Sequence, residues 1–412
     1  MRDLIGCDYA SARDDAQGAT AGREPARRIV DAYYAKQKGA SSVKGCSAYN
    51  DYRELLEKEK DVDAVVVGTP DHTHAVISIA AMKKGKHVYC QKPMTHSVYE
   101  ARRMAEVARE TKVATQVAVG NQASEATRLL CEWIWDGAIG PVREVHNWSG
   151  RPFWRQGHDR PEKAEPVPEG LDWDLWVGPA PFRPFHHVYL PFVWRGWWDF
   201  GTGALGDMGC YSFDTLFRVM ELAPPTRVEA CPSTQYTLVR GVTKIKENKE
   251  TFPRASIVRY HFPARGEMPP VTVTWYDGGM LPALPEELEN HEQLGKEGML
   301  YVGDKGKILC GFSGGKPRLI PEAKMKEFKQ PPKTLLRSVG HNQEWIDACR
   351  GGKPAGANFE FEARVTETLL LGNVAMLAGK KMIRWDGEKL TSPDLPDSDK
   401  YVNPPYREEW TL

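Results

Sequence analysis

The sequence predicts two domains, a doubly wound α/β domain followed by an α+β domain with an open mixed or antiparallel sheet. Three observations lead there. Ala64 to Pro93 reads as buried strand, polar turn, helix and second strand, the signature of a parallel sheet. Strand and helix patterns keep alternating at that spacing on both sides of it, from Leu4 to Val119. From Val142 onward the strand candidates follow one another with few helices between them, which suits an antiparallel or mixed sheet.

Size agrees, because 412 residues are too many for one ordinary core. With 41% hydrophobic and 27% charged residues and a net charge of zero, no global field draws the chain to nucleic acid or a membrane. A small-molecule partner follows by elimination. The eight cysteines lack the short paired spacing of a zinc site or redox dithiol, and read as reduced core thiols. No apolar run nears the ~20 residues of a membrane span, and no secretory signal opens the sequence. The cytoplasm is the expected location.

In chain order, Leu4–Cys7 is a strand stub ending at Asp8. Arg23 to Lys38 is a helix limited by Pro25 and Gly39. A short strand near Lys44–Ala48 precedes a capped helix from Asn50. In the central stretch Ala64–Val67 is a strand covered on both faces, and Gly68 to His74 is the turn. A helix then runs to Lys83 and ends at Gly85, and His87–Cys90 is the next strand. An amphipathic helix from Thr95 to Thr111 and a strand from Val113 to Val119 close the domain at residue 122. The second domain, residues 123–382, begins with a helix from Ala123 to Asp136. Its strand candidates are 142–149, 227–233, 255–262, 271–276, 299–302 and 308–311, and helices follow at 341–350 and 360–379. Residues 383–412 form a polar, proline-bearing tail. The open sheet predicts a homodimer or homotetramer.

The long loop Arg151–Phe200 carries Trp154, Trp173, Trp176, Trp194, Trp197 and Trp198. So much aromatic surface argues against disorder. These rings either line a pocket or anchor the loop to the sheet.

Two clusters carry candidate chemistry. Lys92, just past a buried strand and before Pro93, is either a partly desolvated amine that donates to a hydroxyl or relays a proton, or a surface lysine with a packed stem. His72 and His74 lack a third ligand nearby, so no metal is expected. In Gly201-Thr-Gly-Ala-Leu-Gly-Asp-Met-Gly-Cys-Tyr211, the glycines permit close backbone approach to a ligand. Asp207 and Tyr211, four apart on a helix, are either an acid/base pair or a carboxylate favouring the helix dipole beside a packed phenol.

TPDHTH followed by CQKP, then GTGALGDMGCYSFD and GHNQEWIDACRGGKP, together resemble the glucose-fructose oxidoreductase, inositol dehydrogenase and MocA (Gfo/Idh/MocA) family along nearly the whole chain. The resemblance implies a Rossmann domain, an open-faced sheet domain and an NAD(P)-dependent dehydrogenase of sugars, glycosides or cyclitols. It implies Lys92 as the active-site lysine and Asp207 as the active-site aspartate, with Tyr211 where the family typically has histidine. Lys92, Asn121, Trp154, Trp197, Asp207 and Tyr211 become the expected substrate contacts. Thr69, Pro70, His72, His74, Lys92, Gln122 and Arg195 are expected against the cofactor. Asp8 would hold the adenosine ribose and favour NAD over NADP.

Three departures qualify this. Gln91 stands where the family has glutamate. Tyr211, with an ordinary pKa near ~10, needs a neighbouring ammonium such as Lys92 to become a base. The first strand and the glycine-rich phosphate turn are absent upstream of Asp8, so Met1 is expected to be an internal start, leaving unpaired strand edges and weak cofactor affinity. Two rival readings follow: a glycosidase or lyase using NAD transiently without net redox change, and a non-catalytic sugar-binding protein.

Overall fold

A computed structural model of the chain describes residues 23–42, 46–246, 248–288, 292–379 and 382–412. Asp8 and the strand expected at 4–7 lie outside them. Of the strand expected at 44–48, residues 46–48 are described and are not in a strand.

The first domain begins with helices α1 (Arg23–Lys38) and α2 (Tyr52–Lys58). Strand β1 (Ala64–Val67), helix α3 (His74–Lys83), β2 (His87–Cys90), α4 (Val98–Thr111) and β3 (Thr115–Val117) follow. The strands form a parallel sheet in the order β1-β2-β3. Each limit has a local cause. Asp51 caps α2 by accepting from Arg53 N, and Ser97 with Glu100 forms a reciprocal capping box on α4, an arrangement worth about 1 kcal/mol. Gly85, at φ +73°, turns the chain out of α3. Nearly every side chain of α3 is buried, because the sheet lies under it and α2 and α4 flank it.

The expectation that β1 is covered on both faces fails. Val66 is 65% exposed, and among the described residues no strand pairs with the outer edge of β1. A hollow of about 260 Å³ runs beside it, lined by Tyr52, Leu55, Val66, Gly68, Thr69 and Trp410.

The second domain opens with α5 (Glu125–Trp135), β4 (Val142–Trp148), the short α6 (Trp173–Val177) and α7 (Gly203–Val219). Then come β5 (Arg227–Pro232), β6 (Gln235–Val239), β7 (Val242–Lys246), β8 (Ser256–Phe262), β9 (Val271–Tyr276), β10 (Gly298–Gly303), β11 (Gly306–Cys310) and β12 (Arg318–Ile320). Helices α8 (Glu322–Glu327), α9 (His341–Cys349) and α10 (Phe359–Leu377), strand β13 (Met382–Arg384) and α11 (Asp399–Val402) complete the chain.

Eight strands form one sheet in the order β12-β11-β10-β4-β9-β8-β5-β13. Only β4 and β9 run parallel, so the sheet is mixed. Period-two patterning sets its faces. In β8, Ser256, Val258, Tyr260 and Phe262 are buried while Ile257, Arg259 and His261 are half-exposed. Residues of α5, α7 and α10 share the core behind the inner face. Trp148, Tyr276 and Leu300 pack with Met280, Leu288 and Leu294 to cover part of the outer face.

Two features depart from the sequence reading. Strands β6 and β7 form a separate hairpin around Arg240 and Gly241, both at positive φ. An arginine is not the Asn or Asp that marks such a turn. The tail also crosses back to the first domain, where Tyr406 donates to Glu100 and Lys83 Nζ donates to Leu412 O at 3.0 Å. Trp410 joins the first domain's core together with Phe359 and Ala363 of α10.

Candidate active site

The carboxyl ends of β1 and β2 meet the start of α7. Lys92 leaves β2 with its side chain 14% exposed, against 6% for Asp207. Its Nζ donates to Asp207 Oδ1 at 2.9 Å and to Asp207 O at 3.0 Å. Arg195 Nε donates to the same Oδ1 at 2.9 Å, and Arg195 Nη1 to Phe192 O at 3.1 Å. The guanidinium lies 4.4 Å from the Phe192 ring and 4.3 Å from Trp194. One carboxylate thus sits between two cations.

Burial works to raise the pKa of Asp207, but Lys92 and Arg195 outweigh it and hold the group below the usual carboxylate range. Burial also works to lower Lys92, yet Asp207, Cys210 and Tyr211 outweigh it and the net shift is upward. Lys92 is therefore an ammonium at neutral pH. Tyr211 lies one helical turn from Asp207, its ring centre 5.0 Å from Lys92 Nζ. The expected activation of this phenol by Lys92 is overturned. The ammonium does lower its pKa, but burial is the larger influence and the net shift is upward.

The first-domain turn is held by its own side chains. His74, 1% exposed, has Nδ1 2.8 Å from Pro93 O and Nε2 2.7 Å from Thr69 O. Both ring nitrogens thus face backbone carbonyls. Its pKa is raised accordingly: burial opposes the shift, but Cys90 and the two carbonyls prevail. His72, 2% exposed, reaches Phe200 O at 3.2 Å and Trp176 O at 2.9 Å. Burial pushes it down to about 3. Neither ring reaches the crevice surface, so both shape the turn that Thr69 and Pro70 present. Thr69 Oγ1 accepts from Thr73 Oγ1 at 2.7 Å.

Other expected contacts are turned elsewhere. Asn121 Nδ2 donates to Tyr211 O at 3.0 Å, tying the end of β3 to α7. Gln122, 1% exposed, donates to Glu344 at 2.8 Å and faces α9 rather than the cofactor crevice. Trp197 is 0% exposed, with Nε1 donating to Val188 O at 3.2 Å. It lies in an aromatic cluster with Trp173, Trp176, Tyr189 and Phe200, so it anchors the loop and offers no face to a sugar. Trp154 is buried as well and donates to Gln156 Oε1. The exposed ring nearby is Phe153, 43% exposed and stacked on Phe192. Both lay unremarked within an aromatic-rich loop, where composition alone does not say which ring faces outward. Asp71, inside the quoted turn, was also missed because only folding brings it to Thr202.

Among the described residues one cluster has metal-ligand spacing, Glu165, His186 and His187. His186 Nδ1 accepts Val188 N–H at 3.2 Å, and its Nε2 lies 3.4 Å from Glu165 Oε1. Nothing in the Lys92 cluster calls for an ion.

Space for a dinucleotide is open at the carboxyl end of β1. A Cβ on Gly68 would meet only Gln91 Cγ, at 3.8 Å, so the space above the end of β1 is open, and Thr69 borders it. Polar groups gathered above the carboxyl ends of parallel strands are the mark of dinucleotide-dependent enzymes.

Comparison with known proteins extends this. Residues 4–119 match "oxidoreductase family, NAD-binding Rossmann fold", and residues 141–246 match "oxidoreductase family, C-terminal alpha/beta domain". The chain belongs to the Gfo/Idh/MocA family of NAD-binding oxidoreductases. It is 31% identical over 108 residues to levoglucosan dehydrogenase of Pseudarthrobacter phenanthrenivorans, covering 25% of this chain and 27% of that protein. It is 30% identical over 179 residues to 1,5-anhydro-D-fructose reductase of Ensifer adhaerens, covering 42% and 43%. It is 29% identical over 129 residues to inositol 2-dehydrogenase of Rhizobium meliloti, covering 31% and 38%. The matches thus span from about a quarter to less than half of these curated relatives. The fold is similar to that of WlbA dehydrogenase from Bordetella pertussis in complex with NADH and UDP-GlcNAcA, with a TM-score of 0.54, 18% identity and coverage of 87% and 88%. Among the described residues no helix is long and apolar enough to cross a membrane.

Proposed function

We propose that this protein interconverts a secondary alcohol and a carbonyl on a sugar, glycoside or cyclitol, with Lys92, Asp207 and Tyr211 at the reacting oxygen. The observation that carries the reading is the Lys92–Asp207 pair at 2.9 Å, buried where the carboxyl end of β2 meets α7. The names of the curated relatives support the substrate class. NAD, when bound, would supply the hydride acceptor for alcohol oxidation and, in its reduced form, the hydride donor for carbonyl reduction.

This chain's residues handle the proton. A lysine held as ammonium is an acid, so Lys92 donates to the carbonyl oxygen as reduction proceeds. Oxidation requires Lys92 to lose its proton first, and therefore quickens as pH rises. Asp207 keeps Lys92 charged and aimed, and the Tyr211 hydroxyl donates a second hydrogen bond to the same oxygen. Phe153 and Phe192 offer an aromatic face for the apolar side of a sugar. Asp8, outside the described residues, is proposed to favour NAD over NADP. The half-exposed outer face of the large sheet is proposed as a homodimer or homotetramer contact.

The test is a panel of sugars, glycosides and cyclitols with NAD, following both reduced nicotinamide and product. Reduced nicotinamide accumulating with an oxidised sugar, and lost in Lys92→Ala, is the expected result. Product without reduced nicotinamide would replace this reading with transient oxidation.

A further inference from the structure

A fourth buried charged group from another element, Asp71, lies within electrostatic range of Lys92, Arg195 and Asp207. Asp71 opens the turn after β1, is 1% exposed, and accepts a hydrogen bond on Oδ2 from Thr202 Oγ1 at 2.9 Å. Thr202, also 1% exposed, immediately precedes α7, just over one helical turn before Asp207. A Cβ on Gly206 would collide with the Thr202 side chain, so glycine there lets the threonine hydroxyl lie between helix and turn. Asn373 Nδ2 fixes the Thr202 carbonyl at 2.9 Å. Lys92 from the end of β2, Arg195 from the loop before α7, and Asp207 and Cys210 from α7 all act on Asp71 electrostatically. His72 and His74 flank it on its own turn.

We propose that Asp71 is a positioning residue for the Lys92–Asp207–Arg195 cluster, anchoring the start of α7 through Thr202 and setting the cluster's charge by its own ionisation. The inference rests on that cluster being the reaction site. Burial raises Asp71 to about 7, while Lys92 is shifted up and Asp207 down. Asp71 is thus the member whose charge changes near neutrality. With Asp71 protonated, the two cations and Asp207 leave one net positive charge. With Asp71 ionised the cluster is neutral, and Lys92 parts with its proton less readily.

Asp71→Asn keeps the shape and removes the titration. A folded-state value of about 7 against an ordinary 3.8 means the folded protein holds a proton that the unfolded chain releases. The wild type therefore loses stability as pH rises between those values, and Asp71→Asn does not. Thermal unfolding should show the variant more stable than the wild type at pH 8, with the gap shrinking at pH 5. In the reaction, the wild-type kcat should bend near pH 7 and the variant's should not, with KM unchanged. Thr202→Val should lower kcat about tenfold while Thr202→Ser, which keeps the hydroxyl, restores it. An equal stability gap at pH 5 and pH 8 overturns the ionisation role. A kcat indifferent to Thr202→Val overturns the anchoring role. A wild type inactive on every sugar defeats the functional reading instead, and the unfolding comparison still decides whether Asp71 titrates.

Discussion

Helix α7 carries two buried aspartates two turns apart, and their surroundings differ. Asp207 meets two cations, Lys92 and Arg195. Asp214, 0% exposed, meets one cation and another acid. Arg218 donates to its Oδ1 at 3.0 and 2.8 Å, while its Oδ2 and Glu362 Oε1 find no N–H or hydroxyl donor. Burial first, and Asp214 next, push Glu362 well above its ordinary value, which leaves a proton between the two carboxyl groups. Burial is nearly equal in the two places, so it is the partners that decide the charge. The first cluster is the one proposed to act on a ligand, whereas the second uses its polar groups internally to lock α7 to α10.

The comparison can be broken most directly at Lys92. If the first cluster is chemical, Lys92→Ala lowers turnover per folded molecule by about 10²–10⁴-fold, beyond the stability it costs by leaving buried Asp207 with Arg195 as its remaining cation. A variant with full turnover would put the chemistry elsewhere. Next in size, Asp214→Ala strands Arg218 and should destabilise the fold by about 3–5 kcal/mol, with turnover per folded molecule preserved. Denaturant unfolding beside an active-site titration checks both halves. The gentlest change is Glu362→Gln, which resembles the protonated acid at every pH. Because the folded value of Glu362 lies above its unfolded one, the wild type loses stability as pH rises through the gap and the variant does not. Melting temperatures should match near pH 4.5 and separate by pH 8. His74 sharpens the rule with the opposite charge. Its raised value means stability is fully present below about pH 6.5 and is lost as pH rises through the folded value. The deficit of His74→Gln should therefore be larger at pH 5 than at pH 9.

Much of this was legible in the residues. Continuous runs of β-formers located β1 and β2, helical spacing located α3, and successive strand-like runs with few helices between them located the long strands of the second sheet. Lys92 and Asp207 were legible as a pair through their motifs, and the structure joins them by 2.9 Å. What escaped were facts of orientation. His72 and His74 read as crevice residues, but each had two carbonyls within reach. Trp197 and Gln122 look polar-capable in sequence and were drawn inward by a cluster and a glutamate that lie far along the chain. Asp71 could not be singled out at all, since its partner Thr202 is distant in sequence.

The tail carries a consequence for how the first domain could be handled as a module. Its hydrophobic interior includes Phe359, Ala363 and Trp410, and Tyr406 and Leu412 reach residues 306 and 329 positions earlier. A gene fragment ending at residue 122 would encode the parallel strands without the pieces that seal them. Grafting this cofactor domain onto another protein therefore requires α10 and the tail to travel with it.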